Sequence, residues 1–265
     1  MEVIDTHCHV SPVWFEPVET LLFHMERHGV AHAILTQLLG QTDNTYQAQC
    51  LERYPGRFTS LVAVDAAATD AATKLRVLAA AGARGVRMRP DTRAAGGDPY
   101  ALWRVAAEAQ LTVSCVGPAA SFLSAEFCDL LATFPSVSVL AEHLGGWGRP
   151  DCDGSPATLD GIKALARFPN LHLKVPPLGQ LVKRAPQLPA GGRTLDLAPA
   201  RVALDMLDVY GAERLAWASD FPVVSSREGY GNALAWTLEL FAQHPLSVRE
   251  QIFAGSARRL FRIGS

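Results

Sequence analysis

Eight runs of β-branched and apolar residues recur along the chain, each followed by room for a helix. They are Val3–Val10, Val30–Gln37, Phe58–Val64, Ala83–Arg89, Leu111–Gly117, Ser136–His143, Leu171–Val175 and Leu215–Asp220. Glycine, proline or aspartate stands at their ends, as strand boundaries require. The stretches between them predict helices over Pro17–His28, Asn44–Tyr54, Asp70–Ala81, Pro99–Ala109, Phe122–Phe134, Pro156–Arg167 and Pro199–Tyr210, with further helices at Tyr230–Gln243 and Ser247–Leu260. Pro17, Pro99, Pro156 and Pro199 occupy helix starts, where the missing N–H costs nothing. Gly29, Gly82 and Gly211 lie just past helix ends, where a left-handed cap is favoured. Eight strand–helix units without a polar linker predict one α/β domain over residues 1–265: a (β/α)8 TIM barrel with an additional C-terminal helix. A doubly wound open sheet would place a glycine-rich phosphate loop after the first strand, and none is there.

Composition supports a large core and excludes several partners. The chain has 265 residues, of which 49% are hydrophobic and 19% charged, with a formal charge of −2. Without a basic excess, nucleic acid and anionic membrane surfaces are poor partners. No stretch of 18 apolar residues is present, so no membrane span is expected. The first strand begins at residue 3, which leaves no room for a signal peptide in this reading. Five widely spaced cysteines, Cys8, Cys50, Cys115, Cys128 and Cys152, form no C-x-x-C motif. They read as reduced thiols in a cytoplasmic protein, with Cys115 as packing.

The first strand carries Asp5-Thr-His-Cys-His9. Side chains alternate along a strand, so Asp5, His7 and His9 are expected on one face, the two imidazoles about 7 Å apart. Such a pair converges on a metal ion or a substrate oxygen; two half-exposed histidines on an edge strand are the plain alternative. In a barrel of this type, chemistry gathers at the C-terminal strand ends. That rule selects Arg87 and Arg89 on strand four, His143 on strand six, Lys174 on strand seven and Asp220 on strand eight. By parity Glu142 faces the helices as an ion-pair partner, and His172, deeper than Lys174, is hydrogen-bonded within the barrel. Arg87, Arg89 and Lys174 read as unpaired cations awaiting an anionic ligand such as a substrate carboxylate. His24 and His28 stand at i, i+4 without a third ligand and read as surface. The Pro- and Gly-rich segment Pro176–Ala198 reads as a loop over the barrel mouth, or as a mobile insertion.

The set His7, His9, His143 and Asp220 resembles the amidohydrolase superfamily, and more narrowly its amidohydrolase-related group of small barrels. The matching motifs are Ile4-Asp-Thr-His-Cys-His9, Gly82-Ala-Arg-Gly-Val-Arg87, Glu142-His-Leu-Gly-Gly146, Asn170-Leu-His-Leu-Lys174, Arg214-Leu-Ala-Trp-Ala-Ser-Asp-Phe-Pro222 and Gly255-Ser-Ala-Arg-Arg-Leu-Phe261. The resemblance implies lactonases acting on sugar acids or pyrone dicarboxylate, non-oxidative decarboxylases of aromatic acids, or hydratases. Members that bind metal tightly usually carry a histidine at the end of strand five. Here that strand reads Leu111-Thr-Val-Ser-Cys-Val-Gly117, a departure shared with lactonases of the group, some of which work without metal.

The expectation from the resemblance is therefore a lactonase-like hydrolase of a carboxylated small molecule. Asp220 serves as general base and His143 as its catalytic companion, while Arg87, Arg89 and Lys174 bind the acid group. A divalent ion, zinc or manganese, is implied on His7, His9 and Asp220, with metal-free catalysis as the alternative. A metal-dependent decarboxylase is the second expectation and a barrel that binds without catalysis is the third. Barrels of this group often self-associate; Trp147 or Trp236 would serve a homo-oligomer interface or the core.

Overall fold

The computed structural model describes residues 1–182, 184 and 195–264. Eight strands form one sheet in sequence order: β1 Ile4–Cys8, β2 His32–Thr36, β3 Phe58–Val62, β4 Gly85–Met88, β5 Thr112–Cys115, β6 Val139–Ala141, β7 Leu171–Val175 and β8 Leu215–Trp217. Each is parallel to the next. The two ends of the sheet meet through a parallel bridge between Cys8 and Phe221, where the His9 N–H donates to the Phe221 carbonyl at 2.7 Å. The Thr6 hydroxyl donates to the Trp217 carbonyl at 2.7 Å, so the ends are joined at two levels. The result is a nearly closed (β/α)8 barrel, as the alternating pattern predicts.

Helices follow the strands at Val18–His28, Thr45–Arg53, Ala71–Ala80, Ala101–Glu108, Ala125–Thr133, Pro156–Ala164, Val202–Tyr210 and Tyr230–Leu240. The predicted helix over 122–134 is divided: Ala119–Phe122 forms one turn, and Ser124 then caps Ala125–Thr133 by accepting from the Phe127 N–H at 3.2 Å. Gly29 adopts the left-handed cap conformation. Gly211, with φ 77° and ψ 156°, does not, and it leads into the short turn before β8 instead.

The C-terminal segment is a helix in three registers: Leu246–Glu250, a π turn at Gln251–Gly255, and Ser256–Phe261. It closes the N-terminal end of the barrel. Leu260 and Phe261 pack with Ile34, Leu61, Leu140 and Ala216, the inward residues of β2, β3, β6 and β8. The Thr112 hydroxyl on β5 donates to the Leu260 carbonyl. Burying a large apolar side chain in this way contributes about 1.5–3 kcal/mol. The bottom of the barrel is thus closed by apolar side chains.

Trp147 and Trp236 are partly buried against apolar clusters. No helix among the described residues is long and apolar enough to cross a membrane. Of the segment 176–198, Leu178–Gln180 forms a 3-10 turn. Lys183 and residues 185–194 lie outside the described residues, and so does the part of the expected mouth-covering loop that falls on them.

Candidate active site

His7 and His9 point into the barrel, but Asp5 does not join them. The β1–β2 register shifts between Asp5 and Cys8, and this bulge re-aims the strand. Asp5 is turned outward and fully buried, accepting from the Tyr230 hydroxyl at 2.9 Å, the Ser219 N–H at 2.9 Å and the His7 N–H at 3.2 Å. Burial raises its pKa against these hydrogen bonds. Its carboxyl ties the backbone of His7 to the residue just before Asp220.

The two imidazoles meet at their Nε2 atoms, 3.0 Å apart. His9 Nδ1 donates to the Thr36 carbonyl at 2.7 Å, so His9 Nε2 carries a lone pair. Burial, with the charge of Arg87, lowers the His9 pKa to about 3. His7 is lowered well below its ordinary value by burial and by Lys174, whose Nζ lies 2.6 Å from His7 Nδ1. Both rings are neutral near pH 7.

Glu142 corrects the parity reading. It is fully buried inside the barrel, where it accepts from Arg87 Nε at 3.1 Å, Arg87 Nη2 at 2.8 Å and the Ser114 hydroxyl at 2.7 Å. Lys174 Nζ is 3.7 Å from the same carboxylate. Glu142 keeps the alternation of β6, sharing the inward parity of Leu140, and it is His143 that departs from it at the start of the left-handed turn. Burial by itself would raise the Glu142 pKa, yet Arg87, Lys174 and His7 outweigh it and hold the group well below the usual range. Arg87 and Lys174 are therefore not unpaired cations: both face Glu142. The cluster has two cations and one anion, and burial brings Lys174 down to about 8. Ser114, on strand five, fills the layer of this cluster on the strand whose end lacks a histidine.

His143 and Asp220 share an uncommon backbone. Their φ angles are both 54°, and Leu144 (φ 53°) and Gly145 (φ 65°) continue the left-handed turn. Bulky residues pay about 1–2 kcal/mol each for this conformation, and such cost gathers at functional sites. Gly146 closes the turn at φ 85°; a Cβ there would lie 2.5 Å from the Ala119 nitrogen.

Gln180 bridges the two candidate catalytic residues. Its Oε1 is 2.6 Å from His143 Nδ1, and its Nε2 donates to Asp220 Oδ2. His143 thus carries its proton on Nδ1 and leaves Nε2 as an acceptor. Burial raises the Asp220 pKa, opposed by His143 and Arg227. Asp220 Oδ1 faces the β1 pair, 3.5 Å from His7 Nε2 and 3.9 Å from His9 Nε2.

A cavity of about 970 Å³ opens on Asp220 and His143, walled by Arg149, Gln180, Arg227 and Glu228. Arg89 stands elsewhere. It is exposed past the end of β4 and lines a second cavity of about 620 Å³ with Arg87, Asp65 and Thr42. His172 sits deeper, with Nδ1 3.2 Å from the Asn170 carbonyl, and burial lowers it to about 4. It keeps the structural role expected of it. Cys115 is fully buried and its thiol is raised beyond ordinary titration by burial. His24 stacks on Tyr230 at 5.2 Å and His28 stacks on the same ring at 6.1 Å, an aromatic packing rather than an open surface.

Sequence reasoning missed Gln180, Arg227 and Glu228, all on connections rather than strands. Only the Gly179-Gln180 dipeptide gave a signal. A side chain at Gly179 would overlap the Glu228 carboxylate, so the glycine marks a close approach.

His7 Nε2, His9 Nε2 and Asp220 Oδ1 form a group of metal-competent donors. Their separations of 3.0, 3.5 and 3.9 Å bracket the roughly 3.3 Å edge of a tetrahedral zinc site. The His9 lone pair is already directed inward. His7 offers one when its proton sits on Nδ1, which needs an uncharged Lys174 amine opposite. The donor set thus fits one divalent ion in the state where Lys174 has released its proton.

Solved structures share this architecture. A candidate 2-pyrone-4,6-dicarboxylic acid hydrolase from Pseudomonas putida superposes with a TM-score of 0.76 at 24% identity, covering 99% of this chain and 98% of its own. An amidohydrolase from Burkholderia multivorans with bound zinc gives 0.76 at 17% identity, covering all of both chains. A 2,6-dihydroxybenzoate decarboxylase in complex with 2,6-dihydroxybenzoate gives 0.67 at 16% identity, covering 99% of each. At these identities the likeness speaks for the fold. No curated protein sequence matches the chain. The amidohydrolase family model matches residues 4–263, nearly end to end. The chain belongs to the amidohydrolase family.

Proposed function

We propose that this protein opens a lactone or similar cyclic ester of a carboxylated small molecule, with Asp220 as general base. The observation that carries the reading is Asp220, which lines the cavity with His143 and is held between Gln180 and the buried β1 imidazoles of His7 and His9 behind it. Asp220, near-buried but ionisable, accepts a proton from a water attacking the ester carbonyl. Gln180 fixes the carboxylate so that water, rather than His143, competes for its free lone pairs. The Lys174 ammonium facing His7 Nδ1 keeps the His7 proton on Nε2, where it can turn toward a developing oxyanion. A divalent ion on His7, His9 and Asp220 would instead supply Lewis-acid polarisation of the carbonyl. The pyrone dicarboxylate named for the Pseudomonas putida neighbour is a ring ester with acid groups, in line with this chemistry.

The His7–His9–Asp220 donor group also favours a second reading, a metal-dependent non-oxidative decarboxylase of an aromatic or unsaturated acid. A panel of carboxylated lactones and aromatic acids, assayed with parallel metal analysis, separates the two. Lactone opening that Asp220→Asn lowers by at least a hundredfold supports the first. Release of CO₂ by protein holding an equivalent of metal, without lactone turnover, replaces it with the second.

A further inference from the structure

The acid group of the substrate needs a cation, and the strand-borne candidates are not free to supply it. Arg87 and Lys174 are committed to Glu142. Arg149, on the cavity wall, is bonded twice to Asp151 at 2.9 Å. Arg89 faces the other cavity.

Arg227 is placed differently. It follows the β8 turn that carries Asp220, and its N–H is tied to the Val224 carbonyl at 3.0 Å. Its side chain is 27% exposed at the cavity, with Nη2 3.6 Å from Asp220 Oδ2 and Nε 3.6 Å from Glu228 Oε2. Both contacts are too long for hydrogen bonds, and among the described residues the guanidinium has no hydrogen-bonded acceptor. Glu228 is fixed from behind by the Gly179 N–H at 2.6 Å. The guanidinium is thereby oriented by two carboxylates while its donors remain unspent.

We propose that Arg227 receives the carboxylate of the substrate, beside Asp220, the base that deprotonates the attacking water. This assignment rests on the lactonase reading for its chemistry, but not for its geometry. Arg227 Nη2 lies 3.6 Å from Asp220 Oδ2, so a carboxylate docked on Arg227 by the usual paired N–H···O contacts sits close to a carbonyl whose attacking water Asp220 would deprotonate. The substrate class is therefore a cyclic ester with its acid group on the ring, rather than at the end of a long side chain. Fork-shaped donors suit that task better than a point charge, so lysine should substitute only in part.

The test is equilibrium binding of a ligand that cannot be hydrolysed. Tetrahydropyran-2-carboxylate and its neutral partner, tetrahydropyran-2-methanol, are titrated calorimetrically into the parent protein, Arg227→Ala, Arg227→Lys and Arg184→Ala. Arg184 is the exposed arginine at the outer edge of the same cavity and serves as the rival site. The expected result is a loss of ten- to a hundredfold in carboxylate affinity for Arg227→Ala and a smaller loss for Arg227→Lys. Neither variant should change binding of the alcohol by more than twofold, and Arg184→Ala should match the parent. Equal carboxylate binding by the parent and Arg227→Ala overturns the proposal. So does a loss seen in Arg184→Ala instead, or parent protein that does not prefer the carboxylate over the alcohol. Lactone turnover is measured separately: its absence sinks the lactonase reading while leaving the Arg227 result to stand or fall by itself.

Discussion

Lys174 Nζ lies 2.6 Å from His7 Nδ1, and both groups are fully buried. One of the two must donate, so the charge on the amine decides which nitrogen of His7 carries the proton. An ammonium leaves His7 Nε2 protonated and unfit to bind metal. A neutral amine accepts from Nδ1 and frees Nε2 as a ligand. Metal uptake and the hydrogen-bond chain through Lys174, His7 and His9 are alternatives for the same atoms.

Lys174→Met should therefore bind zinc more tightly than the parent at pH 7, by about tenfold or more, because no ammonium then opposes the ligating tautomer. A competition titration against a chromogenic chelator measures this directly. Weaker zinc binding in the variant would mean that His7 is not steered by Lys174.

Glu142 holds two buried cations. Glu142→Gln keeps the shape but leaves Arg87 and Lys174 without a counter-charge, and the expected cost is about 3–5 kcal/mol of stability. Urea unfolding gives the number. A loss below 1 kcal/mol would show that water or another group takes over the role.

Acid should unfold the protein in a way that names particular histidines. In the fold His9 titrates at about 3 and His172 at about 4, against about 6.5 when unfolded. Between these values the unfolded chain binds more protons, so stability is intact above pH 6.5 and is lost as pH falls toward 4. Each group contributes at most about 1.4 kcal/mol per pH unit. His172→Asn, away from the cavity, should narrow the difference in melting temperature between pH 7 and pH 4.5. An unchanged difference would show that His172 is not neutral in the fold.

The acid limb of the rate profile should report Asp220. Burial raises its pKa, so kcat/KM for lactone opening should fall with acidification at a pH above that of an ordinary aspartate, since the base works only when ionised. Arg227 opposes the rise, so Arg227→Ala should move the limb to still higher pH. A shift in the opposite direction would place the controlling group elsewhere.

Much of this was legible in the sequence because strand-borne features obey a period. The eight strands, the inward His7 and His9, and the placing of His143 and Asp220 at strand ends all follow from alternation and barrel topology. The errors arose where the period breaks. The β1 bulge turned Asp5 away from the histidines, and the left-handed turn that starts at His143 took that residue out of alternation, so that Glu142 holds the inward parity assigned to its neighbour. Both are single-residue backbone events, and no composition signal announces them. Glu142 then consumed the charges of Arg87 and Lys174, which the residue types alone presented as free. Gln180 and Arg227 belong to connections, whose paths depend on tertiary contacts that a linear pattern does not contain.

The plug of Leu260 and Phe261 at the far end of the barrel has an evolutionary consequence. Its apolar contacts are remote from the strained turns at His143 and Asp220, so cohesion can be improved at one end without disturbing the other. Stability reserve accumulated around this plug would let the connections at the mouth accept otherwise disruptive substitutions. A lineage of such barrels can thus change what it acts on while the last six residues of its final helix, Ser256–Phe261, keep the molecule folded.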